Sequence, residues 1–282
     1  MQSLCRAAMP AAFRASPAFL SGLGLRGQYA CREGEAAMQQ PDSLWIHDSR
    51  IYQVGQVPVR VFEPQAKVKG TLLLVHGRNG APDQVQIVEI ANAYLSRGWR
   101  VAAPGLPNSV AVPDSGPPEA VSFSGHVRAA TRIWDWVAAT WPNAPRALAG
   151  HSIGGFAVAH LAADTPDTHH VLAVSPPMSG LVLMRARGTM GAAAIEEVMR
   201  EAPGYFLEMA TADAEPALNR MKAPLAVVTG AEDGLVPLKS ARAYFMAAPN
   251  GRFFAALPAE HHCPAGPACA DMLSAALAAL EA

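Results

Sequence analysis

The chain has 282 residues, of which 51% are hydrophobic and 16% are charged, and its formal net charge is −1. A chain of this length can bury a full core as one α/β domain, and its near-zero charge argues against a nucleic acid or an anionic membrane as partner. No apolar run approaches the roughly 20 residues needed to cross a bilayer, so the sequence predicts a soluble protein without a membrane span.

The N-terminal segment differs in composition from the remainder of the chain. It is rich in Ala, Ser and Arg and has few acidic residues, and Pro10 and Arg14 interrupt the apolar stretch that a signal peptide would need. We interpret residues 1–43 as a disordered or processed tail and residues 44–282 as the folded domain. Because the apolar stretch is interrupted, we expect a cytoplasmic rather than a secreted location. A transit peptide, or a true start at Met38, is an alternative.

After this segment, short strands alternate with helices along the chain. The run from Thr71 to Val75 is continuously apolar, which is typical of a parallel strand covered on both faces. Apolar residues spaced three and four apart predict a helix over 84–97. This alternation predicts an α/β fold with a mostly parallel central sheet and helices on both faces. The predicted strands are 49–52, 58–62, 71–75, 99–103, 146–149, 170–175, 225–229 and 252–257, and the further helices are 126–140, 155–163 and 270–280.

One connection, between the sixth and seventh predicted strands, is longer than a single crossover helix requires. It contains two helical segments, 192–200 and 205–210, separated by Pro203 and Gly204. Two interpretations stay open at this point. The connection is either an ordinary crossover with one extra turn, or a small helical lid formed by residues 181–222.

The strongest motif is Gly150-His-Ser152-Ile-Gly154, which lies between a predicted strand and a predicted helix. A nucleophilic serine at such a position lies on a strained, tight turn that pushes its hydroxyl clear of the sheet. Side chains two positions before and after would collide there, so both glycines have a steric reason. The N–H groups at the start of the following helix favour developing negative charge. The pattern predicts that Ser152 is a nucleophile.

The motif and its context resemble the α/β-hydrolase superfamily over roughly residues 45–282. In that superfamily the nucleophile is followed in chain order by an acid and then a histidine, each after a later strand. The run Gly-Ala-Glu-Asp-Gly-Leu-Val-Pro after the seventh strand resembles the acid turn, and the resemblance implies that Asp233 is the acid. The neighbouring Glu232 fits the register less well.

The predicted base follows the last predicted strand, in Leu257-Pro-Ala-Glu-His-His. Counting from Leu257 favours His262 as the histidine that the resemblance implies. Anchoring the comparison on Cys263 and Pro264 favours His261 instead. We take His262 as the base and keep His261 as the alternative.

The loop after the third strand reads His76-Gly-Arg78-Asn-Gly and resembles the His-Gly loop of the superfamily. The resemblance implies an oxyanion hole made by the backbone N–H groups of Arg78 and Ile153. We expect His76 to be structural. The guanidinium of Arg78 would favour anionic substrates if it lies at the mouth of the pocket.

Together these features predict a carboxylesterase-like serine hydrolase that cleaves a carboxylic ester or related acyl bond through an acyl-enzyme on Ser152. The alternatives are an acyltransferase or thioesterase with the same triad, and a non-catalytic binding protein. The implied partner is a small-molecule acyl substrate, and no cofactor or metal is implied. Cys263 and Cys269 are expected as free thiols, with a small-loop disulfide as the alternative. Substrate identity and oligomeric state stay open.

Overall fold

A computed structural model of the chain describes residues 49–261 and 265–282, and within them one eight-stranded sheet carries helices on both faces. The predicted tail over 1–43 lies outside the described residues, and so does His262. The strands are β1 (Ser49–Val54), β2 (Val57–Phe62), β3 (Gly70–Val75), β4 (Trp99–Pro104), β5 (Arg146–His151), β6 (Val171–Val174), β7 (Leu225–Gly230) and β8 (Gly251–Leu257).

The order of the strands across the sheet is β1-β2-β4-β3-β5-β6-β7-β8. β2 runs antiparallel to both β1 and β4, and every other neighbouring pair is parallel. After β3 the chain continues to β4 on one side, whereas β5 lies on the other side. The loops that follow β3 and β5 therefore flank a topological switch point, the place where open α/β sheets bind their ligands.

Helices bury an apolar layer against each face of the sheet. Phe123, Ile133 and Phe156 belong to the core of one face, and Tyr94 and Leu273 belong to the core of the other. Within the described part of the chain, no helix combines the length and apolarity needed to cross a membrane. The helices are α1 (Val85–Ser96), α2 (Phe123–Thr140), α3 (Ile153–Asp164), α4 (Gly180–Met190), α5 (Ala192–Glu201), α6 (Pro203–Glu208), α7 (Glu215–Arg220), α8 (Leu238–Ala247) and α9 (Pro267–Glu281).

The predicted fold class is confirmed, and each predicted strand is present to within about two residues of its predicted ends. Two helices longer than two turns, α4 and α8, were not predicted. α8 buries only Ala241 and Tyr244, so it has too narrow an apolar stripe for a helical period to stand out. α4 begins at Gly180 and contains Gly188, and glycine is a poor helix former.

The connection between β6 and β7 contains four helices, α4 to α7, so it is longer than a crossover with one extra turn. The part of the connection that holds α4 to α6 is closed at its base, where Ser179 and Asp213 form an antiparallel bridge. The N–H of Gly180 donates to the carbonyl of Ala212 at 2.9 Å. A side chain at Gly180 would place its Cβ 2.4 Å from Cα of Met209, so only glycine allows this close approach.

Candidate active site

Ser152 lies in the turn between β5 and α3, in a backbone conformation that residues with side chains rarely adopt. Its φ is 54° and its ψ is −126°, outside the regions that are sterically open to L-residues. Its N–H donates to the carbonyl of Val174 at 2.9 Å, which ties the turn to the neighbouring strand. The tight turn expected from the motif is therefore present.

The glycines around Ser152 are required by close backbone contacts. A Cβ on Gly150 would lie 2.3 Å from the carbonyl carbon and oxygen of Gly154. A Cβ on Gly154 would lie 2.1 Å from the carbonyl oxygen of Val75, at the end of β3. Any larger residue at either position would force the helix away from the strand ends. The predicted requirement for glycine at both positions is therefore explained by these backbone contacts.

The loop after β3 lies directly against Ser152. A Cβ on Gly77 would lie 2.9 Å from Cβ of Ser152, so this glycine permits the approach. The loop closes in a tight turn in which the N–H of Gly80 donates to the carbonyl of Gly77 at 3.1 Å. Asn79 occupies the left-handed region of this turn, with a φ of 58°. The turn thereby places the peptide after Gly77 beside the nucleophile.

The two predicted oxyanion donors are the N–H groups of Arg78 and Ile153, and both adjoin this contact. The carbonyl of Gly77 accepts hydrogen bonds from His76 and Gly80, and a trans peptide points its N–H away from its carbonyl. The N–H of Arg78, which belongs to the same peptide, therefore points away from those partners. Ile153 is the first residue of α3, so its N–H has no acceptor within the helix.

His76 is buried and holds the loop in place, as expected of a structural residue. Its Nδ1 lies 2.8 Å from the carbonyl oxygen of Gly77 and donates to it, while its Nε2 accepts from the N–H of Leu106 at 2.9 Å. Burial, together with the neighbouring His126, lowers the pKa of His76 to about 3. His126 donates from Nε2 to the carbonyl of His76 at 2.8 Å, and burial lowers its pKa to about 4. Both rings are neutral at physiological pH.

Asp233 lies in the turn after β7 and is buried. One oxygen of its carboxylate, Oδ1, accepts from the N–H groups of Leu235 and Val236, each at 2.8 Å. These two bonds fix the orientation of the carboxylate, and both are accepted by Oδ1. Glu232, the rival acid, is exposed.

His261 and His262 occupy the segment that follows β8. His261 is exposed, and its Nδ1 lies 2.9 Å from the backbone carbonyl of Glu232, to which it donates. The segment passes close to the end of β7, because a Cβ on Gly230 would lie 2.2 Å from the carbonyl oxygen of His261. His262, the predicted base, lies outside the described residues. Among the residues described, no group of three or more His, Cys, Asp or Glu is arranged to hold a metal ion.

The far end of this segment is anchored by Glu89 of α1. Its Oε1 accepts from the N–H of Gly266 at 2.6 Å, and its carboxylate also accepts from the thiol of Cys269. Burial raises the pKa of Glu89 and raises the pKa of Cys269 to about 12. Cys269 is buried, and its predicted counterpart Cys263 lies outside the described residues, so the expectation of two free thiols stays a prediction.

Two side chains near the site were not anticipated, Tyr205 and Arg187 of the four-helix connection. The guanidinium carbon of Arg78 lies 5.3 Å from the centre of the Tyr205 ring, which in turn stacks on Phe123 at 4.4 Å. A Cβ on Gly234, beside the acid, would lie 3.7 Å from the terminal carbon of Met190 at the end of α4. A tyrosine and an arginine in short, weakly periodic helices carry no sequence signal that would have identified them.

Comparison with known proteins is consistent with this geometry. A family described as serine aminopeptidase, S33, matches residues 66–203, just under half of the chain. The matched region includes Arg78, Ser152 and Ile153 and ends before Asp233. No curated protein sequence matches the chain.

Many solved structures share the fold at low sequence identity. Est1E from Butyrivibrio proteoclasticus with bound ferulic acid is 16% identical, with a TM-score of 0.68 over 83% of this chain and 100% of that one. The esterase domain of a Rhodothermus marinus protein is 17% identical, with a TM-score of 0.56 over 80% and 92%. A bromoperoxidase from Bacillus anthracis is 15% identical, with a TM-score of 0.62 over 83% and 99%. Because these proteins carry different names on one architecture, the likeness establishes the fold and leaves the chemistry to the site.

Proposed function

We propose that this chain, which has the fold of the α/β-hydrolase superfamily, is a serine hydrolase that cleaves a carboxylic ester through an acyl-enzyme on Ser152. The observation that carries the proposal is the backbone of Ser152. A residue in so unfavourable a conformation costs about 1–3 kcal/mol and persists where the surrounding structure over-determines it, most often at active sites. Here the strained serine adjoins the loop of Gly77 at the switch point of the sheet.

In the first step, His262 accepts the proton of Ser152 Oγ as Oγ attacks the carbonyl carbon of the ester. The N–H groups of Arg78 and Ile153 stabilise the negative charge on the carbonyl oxygen, and each such donor contributes roughly 3 kcal/mol to transition-state stabilisation. The bond to the leaving oxygen then breaks, and His262 returns its proton to the departing alcohol. The product of this step is an ester between the acyl group and Ser152.

In the second step, water takes the place of the alcohol. His262 accepts a proton from the water, whose oxygen attacks the acyl carbon, and the proton passes to Ser152 Oγ as the acid departs. The carboxylate of Asp233 holds His262 in its reactive tautomer and stabilises the imidazolium. The two backbone bonds to Oδ1 of Asp233 support this role, because they fix the carboxylate before any substrate binds.

The four-helix connection is proposed to be the cover of the site. α6 is fixed to the start of α2 by Glu208, whose carboxylate accepts from the N–H and the hydroxyl of Ser124 at 2.8 and 2.5 Å. The contact between Met190 and Gly234 lays the end of α4 beside the acid turn. The cover would exclude water from the acyl-enzyme and form the wall of the substrate pocket.

A fluorophosphonate probe tests the nucleophile directly, because it reacts with activated serine hydroxyls. We expect the wild-type protein and the control Ser96→Ala, an exposed serine at the end of α1, to be labelled, and Ser152→Ala to stay unlabelled. The same three proteins should be assayed on p-nitrophenyl esters of increasing chain length. Labelling of Ser152→Ala at the wild-type rate would show that another residue is the nucleophile.

A further inference from the structure

Two arginine residues, Arg78 and Arg187, lie in segments that adjoin the proposed site. Arg78 follows Gly77, whose backbone contacts Ser152, and its side chain is only 14% exposed. Arg187 lies in the last turn of α4, the helix whose end reaches the acid turn, and it is close enough to Arg78 for their charges to repel. The Tyr205 ring lies against the guanidinium of Arg78, and the positive charges of both arginines act on its hydroxyl.

The charge of Arg187 is poorly compensated within the protein. Its Nε is buried and has no hydrogen-bond partner, and its guanidinium forms no ion pair with any carboxylate in the described part of the chain. Burial, and then the positive charge of Arg78, lowers the pKa of Arg187, and Glu197 and Glu201 only partly oppose this effect. A cation with a buried N–H group that no acceptor satisfies is costly, so its retention in the helix that reaches the acid turn calls for a ligand.

Arg78 has a carboxylate neighbour, but the contact is long and the carboxylate is exposed. Its Nη2 lies 3.7 Å from Oε2 of Glu201, whose side chain is 45% exposed. So long a contact with an exposed carboxylate contributes little to stability, and Arg78 can exchange it for a better-placed anion. A carboxylate is therefore the group that Arg78 already accommodates, and a guanidinium presents the planar pair of donors that matches its two oxygens.

We propose that Arg78 and Arg187 bind a carboxylate carried by the substrate, close to the ester bond that Ser152 attacks. The inference rests on the proposed function, because it locates the carboxylate relative to Ser152. The substrate class is then an ester that also bears a free carboxylate, and the carboxylate replaces Glu201 at Arg78 and supplies Arg187 with its missing partner. The arginine pair acts on substrate selection, so its effect falls mainly on KM.

Two matched pairs of esters test the proposal on both sides of the scissile bond. The 4-methylumbelliferyl half-ester of adipic acid and its methyl-capped form differ only in a carboxylate on the acyl side. 4-Acetoxybenzoate and its methyl ester differ only in a carboxylate on the leaving group. We expect the carboxylate member of at least one pair to have a kcat/KM about 30-fold or more higher, in keeping with a buried charged contact.

Arg187→Gln should reduce that preference towards unity, whereas Arg185→Gln, an exposed arginine on the same helix, should retain it. Arg187→Gln removes a charged group whose Nε is buried without a partner, so its Tm should equal or exceed that of the wild type, which separates loss of preference from unfolding. Equal kcat/KM within both pairs, or a preference that survives in Arg187→Gln, would overturn the inference alone. No hydrolysis of any of the four esters, with no fluorophosphonate labelling of Ser152, would overturn the proposed function and this inference with it.

Discussion

The ring of His76 donates a 2.8 Å hydrogen bond to the carbonyl of Gly77, the residue whose backbone contacts Ser152. This bond orients the peptide that supplies the N–H of Arg78, because the carbonyl and the N–H of one trans peptide point in opposite directions. His126 and Leu106 hold the histidine from two further sides. We therefore predict that this buried histidine is a positioning residue for the proposed oxyanion hole.

The first prediction concerns this positioning role. His76→Ala removes the donor to the carbonyl of Gly77 and should lower kcat by roughly 10-fold or more, approaching the 10²–10³-fold cost of a lost oxyanion donor. KM should change little, because the donor acts mainly on the transition state. Steady-state kinetics on an ester substrate, with CD spectra of each variant, measure the effect.

His76→Asn is the matched variant for the same position. Its side-chain amide can donate from nearly the place of Nδ1, so it should recover a large part of the kcat that His76→Ala loses. A purely structural role for His76 would make the loss follow the fall in Tm rather than the presence of a donor. Wild-type kcat in a folded His76→Ala protein would contradict the positioning role.

The second prediction distinguishes the two candidate bases. His261 is exposed and its Nδ1 is bonded to the backbone of Glu232, so His261→Ala should retain kcat/KM to within a few-fold. His262→Ala should lower kcat by roughly 10⁴–10⁶-fold, because nucleophile and base act as a unit. The reverse pattern would assign the base to His261. Both variants should be compared in the same assay.

The third prediction uses the two oxygens of Asp233. Asp233→Asn keeps an acceptor at Oδ1 for Leu235 and Val236, so its Tm should lie close to that of the wild type. It places an amide donor at the second position of the carboxylate, where the proposed base needs an acceptor, and kcat should fall by roughly 10⁴-fold. Asp233→Ala loses both backbone bonds and should be less stable as well as inactive.

Glu232→Gln is the control for this position. Glu232 is exposed and contributes its backbone carbonyl, not its carboxylate, to the contact with His261. The variant should therefore keep wild-type kcat and Tm. Loss of activity in Glu232→Gln, together with an active Asp233→Asn, would exchange the roles of the two acids.

The sequence predicted those parts of the site that depend on backbone sterics. Gly150 and Gly154 are identifiable because no other residue fits their contacts, and the long apolar run of β3 locates the loop that follows it. Arg187 and Tyr205 could not be predicted, because their positions depend on how four short helices fold back onto the sheet. The bridge between Ser179 and Asp213 in that connection joins residues that are distant in sequence, and local periodicity does not encode such a pairing.

The last prediction is a loss of stability in acid caused by three buried histidines. His76, His126 and His170 have pKa values of about 3, 4 and 3 because burial disfavours the charged ring, whereas an unfolded histidine titrates near 6.5. Below about pH 6.5 the unfolded chain therefore binds more protons than the folded protein, so the free energy of unfolding falls as the pH falls towards 4.

Each of these histidines contributes up to about 1.4 kcal/mol per pH unit in that window, and the three together contribute up to about 4 kcal/mol per pH unit. Urea unfolding at pH 7.5, 6.5, 5.5 and 5.0 measures the slope. His170→Gln removes one titrating ring far from Ser152, at the start of β6 where Nε2 lies 3.0 Å from the hydroxyl of Tyr94. Its slope should be smaller by about a third. An equal free energy of unfolding at pH 7.5 and 5.0 in the wild type would show that these rings are not held neutral by the fold.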